Sequence, residues 1–323
     1  MPENNFEFLI EEKSKGTGST PEQEAVITGL TQERVFLEVP EFLEGLPVRR
    51  IAPHAFREQQ HLRSLSLPRN LRSVGAFALY NCPELEEVDL HDGITDFHNG
   101  VFRHDLRLRR IRIHINGDNP GGSFTVMKDI LSESDTRLQF CLLFPDGEAR
   151  LTFPGYLYAF NENTMARTIQ FSITGSGMVY RECVRRKGVG FREYDRLFSR
   201  VVLDDPQAAV EIAADRLLFP YNLAPEHRQA YEDHLRVNAR EALLQFLQQM
   251  RGGTSHAFSE EGILRLRMMA DRGFVSADAA DDALREASAL GLTEACSIIL
   301  AGRDKTEKEN GTSSSGEFTL DDW

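Results

Sequence analysis

The chain has a single tryptophan, Trp323, and only four cysteines. It has no apolar run approaching the roughly 18 residues needed to cross a bilayer, and its positive charge is outweighed by negative. Each shortage excludes something. Cys82, Cys141, Cys183 and Cys296 lie far apart and form no CxxC pair, which fits free thiols in a reducing compartment. The opening MPENNFEFLIEEKSKG has no basic segment followed by an apolar one, so a secretory signal is not expected. Lys and Arg total 37 against 50 Asp and Glu, and the net charge of -13 argues against nucleic acid or an anionic membrane as a partner of the whole chain. A cytoplasmic location is the expectation. Catalytic signatures are also missing: there is no HExxH, P-loop, GxSxG, or GxGxxG after a strand. GTGST (16–20) and GSGMVYR (175–181) are glycine-rich but lack the lysine and strand–helix context of a phosphate loop. No catalytic residue, cofactor or metal is expected.

What is present begins with size. A chain of 323 residues, 41% hydrophobic, has room for two or three domains with a sizeable core. Near the N-terminus the sequence repeats. IAPHAFREQQHLRSLSLPRNLRS starts at Ile51, VGAFALYNCPELEEVDLHDGITD at Val74, and FHNGVFRHDLRLRRIRIH at Phe97, a period of 23. Apolar residues fall into columns at that period: Ala55, Ala78 and Val101; Leu62, Leu85 and Leu108; Leu65, Val88 and Ile111; Leu67, Leu90 and Ile113. An LxxLxL segment of this kind is a short strand with an apolar inner face that one turn cannot bury. Stacked turns can bury it, with strands about 4.8 Å apart. The pattern is that of a leucine-rich repeat, with three good turns and one imperfect one.

EGLPVRRIAPHAF (44–56), LRSLSLP (62–68) and LYNCPELEEVDL (79–90) resemble the BspA-type bacterial leucine-rich repeats, over about residues 24–114. RVFLEVPEFLEGLPV (34–48) is similar to an entry turn with an insertion. The chain departs from that pattern where a cysteine column reads Gln59, Cys82, Asp105, and where a proline column reads Pro68, His91, His114. The resemblance implies a surface presented to another macromolecule. The layout is also similar to multi-part repeat proteins associated with AAA-type ATPase and von Willebrand factor A-like proteins, which makes those classes candidate partners.

The outward strand positions read Ser64, Glu87, Arg110 and Ser66, Asp89, Arg112. Parallel stacking puts Glu87 beside Arg110 and Asp89 beside Arg112, either as ladder ion pairs or as a recognition surface. Arg103, Arg107, Arg109, Arg110 and Arg112 in VFRHDLRLRRIRIH (101–114) make a local basic spot, a solvated edge or a dock for an acidic peptide or phosphate groups. His91 and His114 should come close, but no third ligand of suitable spacing follows.

INGDNPGGS (115–123) breaks the repeat. LQFCLLF (138–144) and ARLTFP (149–154) read as two strands around a turn, capping the stack or opening a second domain. From about 156 the pattern reads helical: 191–198, 206–220, and one long helix over 225–250. Three short helices follow, with Ser259, Ser276 and Thr293 as N-caps and Gly273, Gly291 and Gly302 as stops. DDALREASALGLTEACSIIL (281–300) resembles the helix pair of an ankyrin-type repeat, of which one pair is present. The expected class is mixed α/β: a short N-terminal repeat solenoid, an α+β middle region and C-terminal helices. The expected divisions are a repeat domain with an N-terminal cap (1–117), a middle domain (118–253), a helical hairpin (254–302) and a disordered tail (303–323).

In RECVRRKG (181–188), Arg185, Arg186 and Lys187 beside Cys183 are arranged to favour a thiolate, with His227 or His234 as the histidine such a nucleophile needs. RDKTEKENGTSSSG (303–316) reads as a flexible linker. EFTLDDW then offers Phe318, Leu320 and Trp323 as anchors of a tethered docking peptide; the alternatives are a segment that folds back on the basic spot around Arg107 to Arg112 and a passive end. The leading reading is a non-catalytic adaptor that binds another protein. The rivals are an enzyme with its site in the middle region, and a surface adhesin.

Overall fold

A computed structural model describes residues 5–13, 22–163, 168–252 and 256–313. The chain divides into two compact units, Met1–Asp205 and Pro206–Trp323. Strands dominate the first and helices make up the second, a mixed α/β class.

The first unit opens with an antiparallel hairpin of β1 (Phe6–Lys13) and β2 (Glu22–Leu30). The repeats follow as β3 (Phe36–Glu38), β4 (Phe42–Leu43), β5 (Leu46–Ile51), β6 (Ser64–Ser66) and β7 (Ser73–Val74). They continue with β8 (Glu87–His91), β9 (Asp96–Phe97) and β10 (Arg110–His114). Successive strands alternate between two sheets. One runs β3-β6-β8-β10 in parallel, and in the other β2, β5, β7 and β9 pair in parallel, with β1 at its edge. Ser64 pairs with Glu87 and Glu87 with Arg110, so each coil advances by the sequence period. The inward columns make the core: Leu62, Leu65, Val74, Leu85, Val88 and Ile111 are 0–1% exposed. Each such side chain contributes about 1.5–3 kcal/mol by leaving water.

The backbone repeats as well. His54, Phe77 and Gly100 have φ of 61, 56 and 73°, and Glu58, Asn81 and His104 have 60, 60 and 70°. In the first two coils these left-handed residues turn their amides onto the next coil, where His54 N donates to Ala76 O and Asn81 N to Arg103 O. A conformation unfavourable for a side-chain-bearing residue thus recurs at two places in each coil, held in the first two coils by inter-coil hydrogen bonds.

After α1 (Thr125–Glu133), β11 (Leu138–Phe144) joins β10 in parallel, and β12 (Gly147–Phe153) pairs antiparallel with β11. The two strands thus extend the ladder rather than open a separate sheet. The stretch from 156 differs from the helical expectation. β13 (Leu157–Asn163) and β14 (Thr168–Thr174) form a hairpin first. α2 (Gly177–Glu182), the short ribbon of β15 (Val184–Arg185) and β16 (Gly188–Val189), α3 (Phe191–Arg196) and α4 (Phe198–Asp204) complete the unit.

The second unit holds α5 (Pro206–Leu218), α6 (Pro225–Val237), α7 (Ala239–Gly252), α8 (His256–Asp271), α9 (Ala277–Ala289) and α10 (Thr293–Ser313). The single helix expected over 225–250 is two, parted at Asn238, whose Nδ2 donates to His234 O at 2.8 Å. α8 begins before Ser259, so that residue lies inside the helix rather than capping it. Ser276 does cap α9, accepting from Ala279 N, and Gly273 and Gly291 take left-handed φ of 67 and 71° at the turns. Gly302 is not a stop. α10 runs through it and through 303–313, correcting the expected flexible linker there. A charged i,i+4 pair, Arg303 with Glu307, lies within the added turns, and Lys305 Nζ donates to Asp271 O. Residues 314–323, with the expected anchors Phe318, Leu320 and Trp323, lie outside the described residues.

Candidate partner-binding face

The outer face of the β3-β6-β8-β10 ladder collects the polar positions singled out above. Alternation in β8 and β10 sends Val88, Leu90, Ile111 and Ile113 inward and Glu87, Asp89, Arg110 and Arg112 to the other side. Arg112 Nη1 lies 3.0 Å from Asp89 Oδ2, and Arg110 Nη1 lies 3.9 Å from Glu87 Oε2. Arg107 bonds Glu84 at the same one-coil step. The basic spot is therefore one coil of arginines set against one coil of acids. Arg110 is 4% exposed and donates from Nε to Gln139 Oε1 at 2.9 Å, so its charge is compensated within the sheet rather than offered to solvent. Arg107 and Arg109 stay exposed at the coil edge.

His91 and His114 stack as the column implies, with ring centroids 4.5 Å apart and 20° between planes. His114 Nε2 sits 2.9 Å from Asp89 Oδ1. Burial, then the neighbouring His114, holds His91 below the ordinary imidazole range. Among the described residues no group of three or more His, Cys, Asp or Glu is placed to hold a metal ion.

Next to the paired charges the face is small and open: Ser64 and Ser66 on β6 are half-buried, and Phe36 on β3 is 65% exposed. Gln139 and Phe36 were not among the residues marked in the sequence. Both lie off the period, because Phe36 pairs with Ser64 and Arg110 with Gln139 across longer connections. The second sheet carries a groove of about 790 Å³, within which Arg50 pairs with Glu11 at 3.0 Å.

Cys183 does not meet the expectation of an activated thiol. It is 3% exposed, and burial, reinforced by Glu193, pushes its thiol up to about 11. The neighbouring arginines are engaged elsewhere, Arg185 with Glu193 at 2.9 Å and Arg186 with Asp129 at 3.2 Å. Arg181 is buried and clamps the backbone, donating to the carbonyls of Ser134, Thr136, Pro154 and Gly177.

Residues 42–122 match the model of the BspA type leucine rich repeat region, in six copies. No curated protein matches the chain significantly. Two solved structures are similar. A leucine rich cell surface protein from Faecalibacterium prausnitzii is 17% identical over 45% of this chain and 42% of its own, with a TM-score of 0.27. A leucine rich repeat protein of T. pallidum is 18% identical over 36% of this chain and 74% of its own, with a TM-score of 0.23. The chain thus spans less than half the length of the first of these relatives. The 23-residue columns and the parallel register they produce agree with the match of residues 42–122 to the BspA type leucine rich repeat region.

Proposed function

We propose that the protein is a non-catalytic protein-binding adaptor, whose repeat coils form a short solenoid that presents the β3-β6-β8-β10 face to a partner. The observation that carries this reading is the in-register outer column of Ser64, Glu87 and Arg110 beside Ser66, Asp89 and Arg112. The acid–arginine pairs fix the coils in register, and the small serines leave a shallow shelf beside exposed Phe36 for a partner's side chains. A polar surface on a rigid stack is the usual working face of repeat proteins. The terminal EFTLDDW peptide is a second contact in this reading, with Phe318, Leu320 and Trp323 as its anchors.

Affinity purification of the full chain, compared with Ser64→Arg/Ser66→Arg, tests the face. Selective loss of a co-purifying chain at unchanged circular dichroism supports it, and undiminished recovery contradicts it. An AAA-type ATPase and a von Willebrand factor A-like protein are the chains to look for. The repeat match supports a second reading, a surface adhesin, because BspA-type repeats often occur in exported proteins. Cell fractionation separates the two: recovery from the cytoplasm favours the adaptor, and recovery at the cell surface favours the adhesin.

A further inference from the structure

We propose that the first unit carries a binding pocket for an organic cation, an ammonium or guanidinium group on an apolar stem, between the coil turns around 97–108 and the C-terminal end of α1. The cavity holds about 550 Å³, and Phe77, Phe97 and Phe102, all half-buried, form its apolar wall. Aromatic faces attract cations, more strongly where water is thinned out.

Asp105 lines the same cavity and is 8% exposed. Its Oδ1 accepts a hydrogen bond from Cys82 N at 2.7 Å, while Oδ2 is buried with no hydrogen-bond partner. A buried carboxyl oxygen without a donor is costly. In the proposed complex the Asp105 side chain turns Oδ2 toward a cation seated against the phenylalanines, which supplies the missing donor and the opposite charge. The preceding coils carry Gln59 and Cys82 at this position, so the carboxyl is particular to the coil that meets α1.

The rim discriminates against anions. Glu133 and Asp135 are exposed at the cavity, with Glu133 Oε2 held by Gly100 N at 2.7 Å. Arg103 and His104 also border it, but both are exposed to solvent. Burial pushes the Asp105 carboxyl up to about 8 and the adjoining Cys82 thiol to about 12. The empty pocket at pH 6.5 therefore holds a protonated acid, and an entering cation expels that proton. Cys82, Arg103, His104, Glu133 and Asp135 are the other ionisable groups around it. The pocket is separate from the ladder face, and its test does not depend on the proposed adaptor role.

Titration calorimetry of the full chain at pH 6.5, in two buffers of different ionisation enthalpy, provides the test. The probes are benzamidine, its neutral counterpart benzamide, and a blocked Gly-Arg-Gly peptide with its citrulline analogue. Benzamidine should bind with release of close to one proton, and benzamide should not bind. Asp105→Asn and Asp105→Cys should each weaken benzamidine about tenfold or more and abolish the release. The cysteine variant installs the side chain that the preceding coil accommodates at Cys82, which keeps the experiment informative if the asparagine variant folds poorly. Competition by the arginine peptide assigns the cation to a protein side chain; benzamidine binding alone assigns it to a small free cation. No binding of either cation, equal binding of benzamide, or unchanged affinity in both variants overturns the proposal.

Discussion

Arg181 and Asp105 are both ionisable groups sunk into the first unit, and their surroundings treat them oppositely. Arg181 meets four backbone carbonyls and the Tyr156 ring at 4.9 Å, so its charge is solvated by the protein, although burial still lowers it to about 10. Asp105 meets a single amide, and burial raises it to about 8. The sign of the consequence follows from proton linkage. A carboxyl whose folded value lies above its unfolded value, near 4 for aspartate, keeps its proton in the folded state while the unfolded chain loses it. Its contribution is fully present below about pH 4 and is lost as pH rises toward 8. In urea unfolding between pH 5 and 9, wild type should lose stability relative to Asp105→Asn up to pH 8, by as much as about 1.4 kcal/mol per pH unit, and then level off. Parallel curves would contradict the assignment. Cys183 belongs at this scale too. The sequence shows three basic neighbours but not that two of them answer to Glu193 and Asp129, nor that the thiol is buried.

Among elements, the coils were legible because a repeat states its register many times over. Leu65, Val88 and Ile111 announce one inward column, and the ladder pairs them as the period requires. Elements stated once were harder to read. The break at Asn238 had a signal: Asn238 with Glu241 three residues on is an N-terminal capping pattern, and Val237, 82% exposed, interrupts the apolar stripe. The β13–β14 hairpin shows period-2 alternation in TIQFSIT, which the helical pattern beyond it overshadowed. Gly302 misled because a glycine after an apolar helix resembles a stop. The packing explains its presence in mid-helix: a Cβ there would lie 2.8 Å from Ala270 Cβ and 3.0 Å from Val275 Cγ2. Propensity alone predicts that Gly302→Ala stabilises by about 1 kcal/mol. Overpacking reverses the sign, at a typical cost of about 1–3 kcal/mol. The variant should therefore melt below wild type by calorimetry, and a higher midpoint would show that α8 and α10 do not approach closely.

Across the whole molecule, one feature organises the proposed function: a coil rich in acids, Glu84, Glu87 and Asp89, stacked on a coil rich in arginines, Arg107, Arg110 and Arg112. Pairing removes much of the charge contrast that the sequence displays, and what faces outward is a polar shelf edged by exposed Phe36 and Glu38. Such a surface favours a protein partner through shape and hydrogen bonds more than through long-range charge. The division of the chain at Asp205 and Pro206 leaves this shelf wholly within the first unit. The most direct measurement of the central claim is site-specific photo-crosslinking in native cells, with a photoreactive residue placed at Ser66 on the ladder face or at Asp96 on the other sheet. The adaptor reading predicts a discrete protein adduct from position 66 and none from position 96. An adduct from 96 alone, or none from 66, would contradict it.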